Sequence, residues 1–221
     1  MNQNIRTDLK ILVVGPTFTG KTSFVQRWTK KEFQEDKPYH PTIVSEFGFK
    51  IYESKGKLYR IQLWDIGGQD LSLSVTKIFA KDSHGCVIIS DSTNLKTLDS
   101  CLEWKNSVSE AQKFIDEGTL PCILVQNKTD LIENREEFEK IEDQTKRKSE
   151  ENFFENYFMT SVKKDINVEE AMEYLIENII ERLEKYAKNG NIIFKEQKQR
   201  DSIVIKYEKN SVRGRKKKKC C

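Results

Sequence analysis

The sequence predicts an α/β fold with a mostly parallel six-stranded sheet, one antiparallel hairpin and helices on both faces. Two observations indicate this class. Runs dense in Val, Ile and Leu, such as KILVVG, GCVIIS and PCILVQ, are typical of strands buried on both faces. Segments with helical spacing fill most of the gaps between these runs, and strands that alternate with helices form parallel sheets.

Six strands are expected in the chain. They fall near residues 9–15, 47–53, 58–65, 85–90, 121–127 and 155–160. The turn Ser54-Lys55-Gly56-Lys57 is short, so the second and third strands should form an antiparallel hairpin. The other strands alternate with helical segments and should be parallel.

Two helical segments are clear from spacing. The last helix is expected to follow Asn167, a possible cap, and to be packed in the core. Its apolar stripe is Val168, Ala171, Met172, Leu175, Ile176, Ile179, Ile180 and Leu183. The charged segment 134–152 is predicted to be a solvated helix with Phe138 and Ile141 facing inward.

Length and charge divide the chain into one domain and a tail. A chain of 221 residues is long enough for one well-buried core. Residues 189–221 hold 11 Lys and Arg against three Asp and Glu; since the whole chain has a net charge of +3, residues 1–188 carry −5. We therefore expect a domain over 1–188 and a flexible basic tail over 189–221.

The composition also disfavours a disulfide-rich secreted protein and a protein that spans a membrane. The five cysteines show no C-x-x-C ligand spacing and no alternating framework, which indicates a reducing, intracellular setting. The first ten residues lack an apolar signal region, and no apolar run approaches the ~18 residues that a membrane span needs. Any membrane contact is expected to come from an anchor.

A phosphate-binding motif follows the first strand. The pattern Gly15-x-x-x-x-Gly20-Lys21-Thr22 joins that strand to a predicted helix. Backbone N–H groups of the loop and of the helix N-terminus would surround the β-phosphate, Lys21 would bridge the β- and γ-phosphates, and Thr22 would ligate Mg²⁺. The residues expected at the phosphates are Gly15, Thr17, Phe18, Thr19, Gly20, Lys21 and Thr22.

A base-binding motif, NKTD, follows the fifth strand at the carboxyl edge of the sheet. Asp130 can accept two hydrogen bonds from guanine that adenine cannot supply, and a site built around such bonds discriminates on the order of 10⁴ or more. Asn127 would hold the loop and approach the guanine edge, and the stem of Lys128 would cover one base face. The segment TSVK, with Ser161, Val162 and Lys163, would add a backbone donor to the guanine oxygen. The predicted ligand is GTP or GDP.

These motifs resemble those of the Ras-superfamily small GTPases. GPTFTGKT, PTI, WDIGGQD, NKTD and TSVK occur in that family's order and approximate spacing, across roughly residues 8–188. The resemblance implies a P-loop NTPase fold with Mg²⁺ as cofactor. It also implies slow hydrolysis of GTP to GDP, with Lys21 and Gln69 as the catalytic residues.

The resemblance assigns two switch segments. Thr42 matches the threonine that ligates Mg²⁺ and senses the γ-phosphate, and Tyr39 an aromatic that folds over the phosphates. Asp65 matches the acid that holds Mg²⁺ through water, Gly68 the glycine whose N–H meets the γ-phosphate, and Gln69 the glutamine that orients the attacking water. The implied metal ligands are Thr22, Thr42 and Asp65. Hydrolysis would break the Thr42 and Gly68 contacts and release both loops.

Two branches of the superfamily compete. WDIGGQD looks like the Arf branch, but Arf proteins rely on a glycine after the initiator methionine for myristoylation, and Asn2 stands there. TSVKKDINVEEAMEYLIENI, DSTNLKTLDSCLEWK and Trp64 look like Rab proteins. RGRKKKKCC ends in Cys220 and Cys221, which match the doubly geranylgeranylated cysteines of Rab proteins. An Arf-like protein with an acquired tail is the weaker alternative.

A Rab-like identity implies a set of partners. These are GTP and GDP, an exchange factor, a GTPase-activating protein, effectors, and escort or GDI-type prenyl-binding proteins. The prenylated basic tail implies the cytoplasmic face of an intracellular membrane, in exchange with cytosol, and the organelle is not specified. Nucleic-acid binding or nuclear import is the usual interpretation of a basic tail, but the terminal cysteines disfavour it. A monomer is expected.

The sequence departs from the Rab pattern in several places. Thr17 and Phe18 replace small residues, so a positive φ with a cost on the order of 1 kcal/mol is possible there. Phe18 is expected over the outer face of the phosphates, where it would reduce access for a GTPase-activating protein. Phe33 matches the aromatic that stacks on the guanine edge, but the stretch from Phe33 to Thr42 is two residues longer than in typical Rab proteins, so the first switch should bulge.

Both switch surfaces also differ from the family. DLS replaces the ERF that usually follows the glutamine, and TIVSEF replaces TIGVDF. Phe47, Trp64 and Phe79 keep the aromatic trio that Rab effectors contact, with ordinary packing beneath the switches as the alternative. Two functions stay open: a trafficking switch that hydrolyses GTP, which Gln69 favours, and a nucleotide-held scaffold, which Phe18 and the altered second switch favour.

Overall fold

The computed structural model describes residues 6–34, 45–67 and 72–188, with two short tail segments, 198–199 and 202–203. The strands are β1 (Arg6–Val14), β2 (Ser45–Ser54), β3 (Lys57–Ile66), β4 (Gly85–Asp91), β5 (Cys122–Asn127) and β6 (Asn156–Met159), with β7 (Lys198–Gln199) and β8 (Ser202–Ile203) in the tail. The helices are α1 (Lys21–Lys30), α2 (Ser72–Ala80), α3 (Lys96–Ala111), α4 (Arg135–Glu151) and α5 (Val168–Lys188).

The six main strands form one sheet in the order β2-β3-β1-β4-β5-β6. Every neighbouring pair is parallel except β2 and β3, which are antiparallel. Their turn has Lys55 at φ 51° and Gly56 at φ 73°, the two positive φ values that a two-residue hairpin turn requires. The predicted sheet and its hairpin are confirmed.

Helices cover both faces of the sheet. Helices α1 and α5 contact each other on one face, and α2, α3 and α4 lie on the other. All eight residues of the predicted α5 stripe are buried, and each of the seven larger side chains contributes on the order of 1.5–3 kcal/mol through burial, with Ala171 contributing less. The backbone carbonyl of Asn167 accepts from the N–H of Ala171 at 3.2 Å, whereas its side-chain amide donates to the Met159 carbonyl at 2.7 Å.

Helix α4 matches its charged sequence. The Asn134 side chain caps it by accepting from the N–H groups of Glu136 and Glu137, at 2.8 and 3.2 Å. Ile141 is buried and Phe138 half-buried, as predicted, while most of the charged side chains face solvent. The charges therefore solvate the outer face of this helix.

The fold brings five chain segments to one edge of the sheet. Strands β1, β3, β4, β5 and β6 run in the same direction, so their carboxyl ends meet there. Strands β4 and β5 are buried at every position, which makes them a rigid base for the loops that follow. Within the described residues, no helix is both long and apolar enough to cross a bilayer.

Candidate functional site

The phosphate loop, residues 15–20, connects β1 to the N-terminus of α1. Gly15 has φ 140°, and a Cβ there would lie 2.2 Å from the Ile89 carbonyl oxygen. Gly20 has φ 94°, and a Cβ there would lie 2.5 Å from Nδ2 of Asn127. Both glycines are thus required by backbone conformation and by close neighbours. Phe18 has φ 66° and is 60% exposed, so the positive φ considered for this turn is present at Phe18.

The lysine of the loop is held inside it. The Lys21 ammonium donates to the Pro16 carbonyl at 2.8 Å, and the Thr19 hydroxyl donates to the same oxygen at 3.0 Å. Burial lowers the pKa of Lys21 from 10.5 to about 8, and the Asp65 carboxylate offsets part of that shift. An anion beside this ammonium would reverse the shift. The loop therefore presents a desolvated cation next to the N-terminus of α1, where anions are favoured.

Two of the predicted metal ligands lie together. The Thr22 hydroxyl donates to Oδ2 of Asp65 at 2.5 Å, and Asp65 is fully buried at the end of β3. Hydroxyl and carboxylate oxygens are the ligand type that Mg²⁺ prefers, together with water and substrate phosphates. This pair of side chains fits Mg²⁺, and phosphate oxygens and water would occupy the remaining coordination positions. The third predicted ligand, Thr42, lies outside the described residues.

Asn127 joins three loops at the base end of the site. It is 2% exposed; Nδ2 donates to the Thr19 carbonyl at 2.9 Å, and Oδ1 accepts from the Val162 N–H at 3.1 Å. The expected contact between Asn127 and the phosphate loop is present. Because both ends of the amide are bonded inside the protein, its main task in this structure is to hold the phosphate loop beside the loop that contains Val162.

Asp130 is oriented by a neighbouring loop. The Ser161 hydroxyl donates to Oδ1 of Asp130 at 2.6 Å and accepts from the Lys164 N–H at 3.0 Å. Thr129 reinforces the same junction, because its N–H and hydroxyl both donate to the Thr160 carbonyl, at 3.1 and 2.9 Å. The Asp130 carboxylate is thus held at the carboxyl edge of the sheet by the neighbouring loop.

Sequence reasoning missed the partner of Lys128. The Lys128 ammonium lies 2.6 Å from Oδ2 of Asp91, which is buried at the end of β4. The N–H and hydroxyl of Thr93 donate to Oδ1 of Asp91 at 2.9 and 2.7 Å. This pair anchors the head of Lys128 and so sets the path of its aliphatic stem. An acid at the carboxyl end of a buried strand was the available signal.

Arg27 is a second residue that sequence reasoning missed. It contacts three predicted guanine-binding residues, Phe33, Val162 and Lys163. Its guanidinium is 5.7 Å from the centre of the half-buried Phe33 ring, and it donates to the carbonyl groups of Val162 and Lys163. It stands 135 positions before Val162, so only the tertiary structure could bring them together.

Several predicted residues lie outside the described residues. They are Tyr39, Thr42, Gly68, Gln69, Cys220 and Cys221. The predicted bulge of the first switch falls on the same undescribed stretch. The roles of these six residues stay predictions from the family resemblance.

The predicted aromatic trio is a contiguous cluster. The Phe47 and Trp64 rings meet edge to face with centres 5.4 Å apart, and the Trp64 and Phe79 centres are 5.8 Å apart. Phe49 extends the cluster, with its ring 6.2 Å from that of Phe47. Phe47 and Phe49 are 53% and 54% exposed, so part of the cluster is available to a partner rather than packed away.

Comparison with known proteins decides the family. The family model described as Ras family matches residues 10–181, and those residues include the phosphate loop, Asp65, Asn127, Asp130 and the Val162 loop. The chain belongs to the Rab-type small GTPases of the Ras superfamily. This Rab-type GTPase is 37% identical over 172 residues to Ras-related protein Rab-7L1 of Rattus norvegicus, covering 77% of this chain and 81% of the relative.

Two further Rab relatives support the assignment. The chain is 38% identical over 173 residues to Ras-related protein Rab-32C of Dictyostelium discoideum, covering 78% of this chain and 74% of the relative. It is 29% identical over 213 residues to Ras-related protein Rab-32 of Homo sapiens, covering 96% of this chain and 88% of the relative. GTP binding is therefore a property of the family to which this chain belongs.

Proposed function

We propose that this Rab-type GTPase binds GTP and GDP with Mg²⁺, hydrolyses GTP slowly, and acts as a membrane-anchored switch in vesicle trafficking. The observation that carries the proposal is the buried amide of Asn127. It couples the loop that holds Lys21 to the loop that contains Val162, so a phosphate cradle and a base pocket share one rigid support. That arrangement suits one ligand with phosphates at one end and a base at the other.

The base pocket supports guanine as the base. Asp130 is a carboxylate oriented by Ser161, and it would accept from N1–H and the exocyclic amine of guanine. Adenine offers an acceptor at the first position, so Asp130 would face an unpaired contact at a polar site. The ion pair between Lys128 and Asp91 would keep the lysine stem against one face of the base.

The proposed reaction is in-line attack of water on the γ-phosphorus. The new bond joins the water oxygen to phosphorus, the bond to the β–γ bridging oxygen breaks, and GDP and inorganic phosphate leave. Lys21 would neutralise the charge that develops on the β- and γ-phosphate oxygens. Gln69, by the family resemblance, would orient the attacking water. Thr22 and Asp65 would hold Mg²⁺, which supplies further charge neutralisation when bound.

Single-turnover hydrolysis of radiolabelled GTP by the purified protein with Mg²⁺ tests the enzyme. We expect slow conversion to GDP in the wild type and its loss in Gln69→Leu, with nucleotide binding retained in both. Tight binding without conversion in the wild type would contradict the switch.

One observation favours the alternative function, a nucleotide-held scaffold. Phe18 is exposed in a left-handed turn of the phosphate loop, where it would cover the outer side of the phosphates and hinder a GTPase-activating protein. The matched variant is Phe18→Gly, since glycine adopts that φ without strain. Higher stimulated turnover in Phe18→Gly, measured with a Rab GTPase-activating domain, would support this obstruction; equal stimulated rates in the two proteins would exclude it.

Membrane attachment is proposed through Cys220 and Cys221. Two geranylgeranyl chains beside the basic run would give stable attachment to an anionic leaflet, whereas one chain would hold the protein only marginally. Mass spectrometry of the protein after incubation with a Rab geranylgeranyl transferase, its escort protein and geranylgeranyl diphosphate should show two added lipids. Unmodified cysteines would contradict membrane attachment through this tail.

The aromatic cluster of Phe47, Trp64, Phe79 and Phe49 is the proposed effector surface. Phe47 and Phe49 are exposed, and they follow closely in the chain on the segment predicted to respond to the γ-phosphate, so their surroundings would change with the nucleotide. The partners proposed are therefore effectors, an exchange factor, a GTPase-activating protein and GDI-type carriers.

A further inference from the structure

Arg27 occupies an unusual position for a surface arginine of α1. Its Nε donates to the Val162 carbonyl at 2.8 Å, and its Nη2 donates to the Lys163 carbonyl at 3.0 Å. Its Nη1 also donates to the carbonyl of Lys31, the C-cap residue of α1, at 3.2 Å. One side chain thus ties the end of α1 to two consecutive carbonyl groups of a loop that is distant in sequence.

The same guanidinium reaches the other side of the base pocket. It lies 5.7 Å from the centre of the Phe33 ring, a distance at which a cation attracts the face of an aromatic ring. Phe33 and the loop 161–163 are the two pocket walls proposed to contact guanine. Arg27 contacts both walls, so it can set their separation.

Holding the Val162 carbonyl also orients a donor. A trans peptide unit is planar, and its carbonyl and N–H point in opposite directions. A fixed Val162 carbonyl therefore fixes the direction of the Lys163 N–H. The Val162 N–H is fixed separately by Asn127. Two successive peptide units of the proposed base loop are consequently held by different side chains, one by Asn127 and one by Arg27.

We propose that Arg27 is a positioning residue that sets the lifetime of bound guanine nucleotide by holding the Val162–Lys163 peptide and the Phe33 ring in place. This inference rests on the proposed binding of GTP and GDP. Without Arg27, the loop and the ring would each regain motion that bound nucleotide must suppress. The effect would appear in the dissociation rate, since contacts formed within a complex act mainly on dissociation.

The chain provides a matched control in Arg182. Its Nη1 donates to the Thr119 carbonyl at 3.1 Å, its Nη2 donates to Asp116 at 3.0 Å, and its guanidinium lies 4.4 Å from the centre of the Phe114 ring. This arginine also combines backbone carbonyl and ring contacts, but it lies at the amino end of β5, away from the proposed base pocket. Substitution of Arg182 therefore measures how much an arginine with carbonyl and ring contacts contributes to the stability of the protein away from the proposed base pocket.

The experiment measures release of a fluorescent GDP analogue from the full-length protein after addition of excess GDP. The variants are Arg27→Gln, Arg27→Lys and Arg182→Gln, each with its thermal unfolding midpoint. We expect release about tenfold or more faster in Arg27→Gln, because two hydrogen bonds from a charged donor are lost. Arg27→Lys should be intermediate, since lysine keeps the charge but lacks the planar guanidinium fork that contacts two carbonyl groups and the ring together, and Arg182→Gln should stay within about twofold of the wild type.

Chelating Mg²⁺ sharpens the test. Arg27 acts on the base side, so its loss should multiply the release rate by a similar factor with and without Mg²⁺. Release from Arg27→Gln at the wild-type rate would overturn the inference, as would equal acceleration in Arg182→Gln. A wild-type protein that retains no GDP would instead overturn the proposed function itself.

Discussion

Two parts of the sheet, the pair β4–β5 and the edge strand β2, are stabilised by different forces. In β4 and β5, every residue is buried, so apolar burial dominates. The edge strand β2 of the hairpin exposes Phe47, Phe49 and Ile51 on one face and has no fully buried apolar side chain. Its partner β3, by contrast, buries Ile61 and Leu63 in the core. The other face of β2 is tied to α5 by polar contacts. Those contacts come from a row of α5 carboxylates spaced along the hairpin.

The carboxylates of α5 contact the hairpin at three levels. Glu169 accepts from Lys50 at 2.8 Å, and Glu184 accepts from Lys57 at 3.0 Å. Between them, Glu177 accepts from the hydroxyl groups of Tyr52 and Ser54, each at 3.0 Å. Polar contacts of this kind stabilise by far less than core burial when water can reach them.

The difference matters for a switch. The hairpin connects the two segments predicted to respond to the γ-phosphate, residues around Thr42 and Gly68. The part of the sheet that leads to Asn127 and Asp130 is the one stabilised by burial. The base end of the site therefore rests on strands that are buried at every position, whereas the first predicted nucleotide-sensing segment adjoins the more exposed strand β2.

Leu124→Ala gives the largest expected effect and tests the pair β4–β5. Leu124 is fully buried in β5, so the lost burial and the cavity should lower the free energy of unfolding by about 2–5 kcal/mol. The matched variant Phe49→Ala removes an exposed ring of the hairpin and should change it by less than about 1 kcal/mol. Urea unfolding measures both, and similar losses in the two variants would contradict the comparison.

The pH dependence of nucleotide affinity tests whether the Lys21 ammonium is desolvated by its surroundings. In the protein without nucleotide, burial lowers the pKa of Lys21 to about 8. Phosphate oxygens would raise this pKa, so nucleotide binding above pH 8 must be accompanied by uptake of a proton. GDP affinity should be full below pH 8 and should fall by up to about tenfold per pH unit above it. Calorimetry from pH 7 to 9.5 measures this slope.

Lys21→Arg is the control for that titration. Arginine stays charged over the whole range, so any slope that persists in Lys21→Arg comes from another group, such as the base itself. A wild-type affinity that follows the same pH dependence as Lys21→Arg would show that Lys21 does not titrate in this window.

Glu177→Ala gives the smallest expected effect and tests the hairpin. Loss of the acceptor shared by Tyr52 and Ser54 should lower the free energy of unfolding by about 1 kcal/mol. Glu181→Ala, an exposed carboxylate one turn further along α5, should be nearly neutral. If urea unfolding shows equal effects in the two variants, the Glu177 contacts do not stabilise the hairpin.

The same contact predicts an alkaline response. Burial and the hydrogen bond to Glu177 raise the pKa of Tyr52 above 10.0. Its contribution to stability is therefore fully present below pH 10 and is lost as pH rises further, because the unfolded tyrosine ionises first. Tyr52→Phe should reduce the loss of stability above pH 10.

Much of this fold could be predicted from local sequence. The strands appear as apolar runs, and their predicted limits differ from the observed ones by a few residues. Strand β1 starts at Arg6 rather than near residue 9, because Arg6 pairs with Leu58 of β3. Such pairing depends on a distant segment, and no local pattern contains it.

The sequence by itself determined the ligand-binding chemistry that the residues offer: glycines that allow the phosphate loop, a lysine and threonine at a helix start, and a carboxylate after β5. Tertiary structure alone decided how those residues are supported. The contacts of Asn127 with Thr19, of Lys128 with Asp91, and of Arg27 with Val162 join segments that are far apart in the chain. Residue types and short spacings are local properties, whereas these contacts arise only when parallel strands bring their carboxyl ends to one edge.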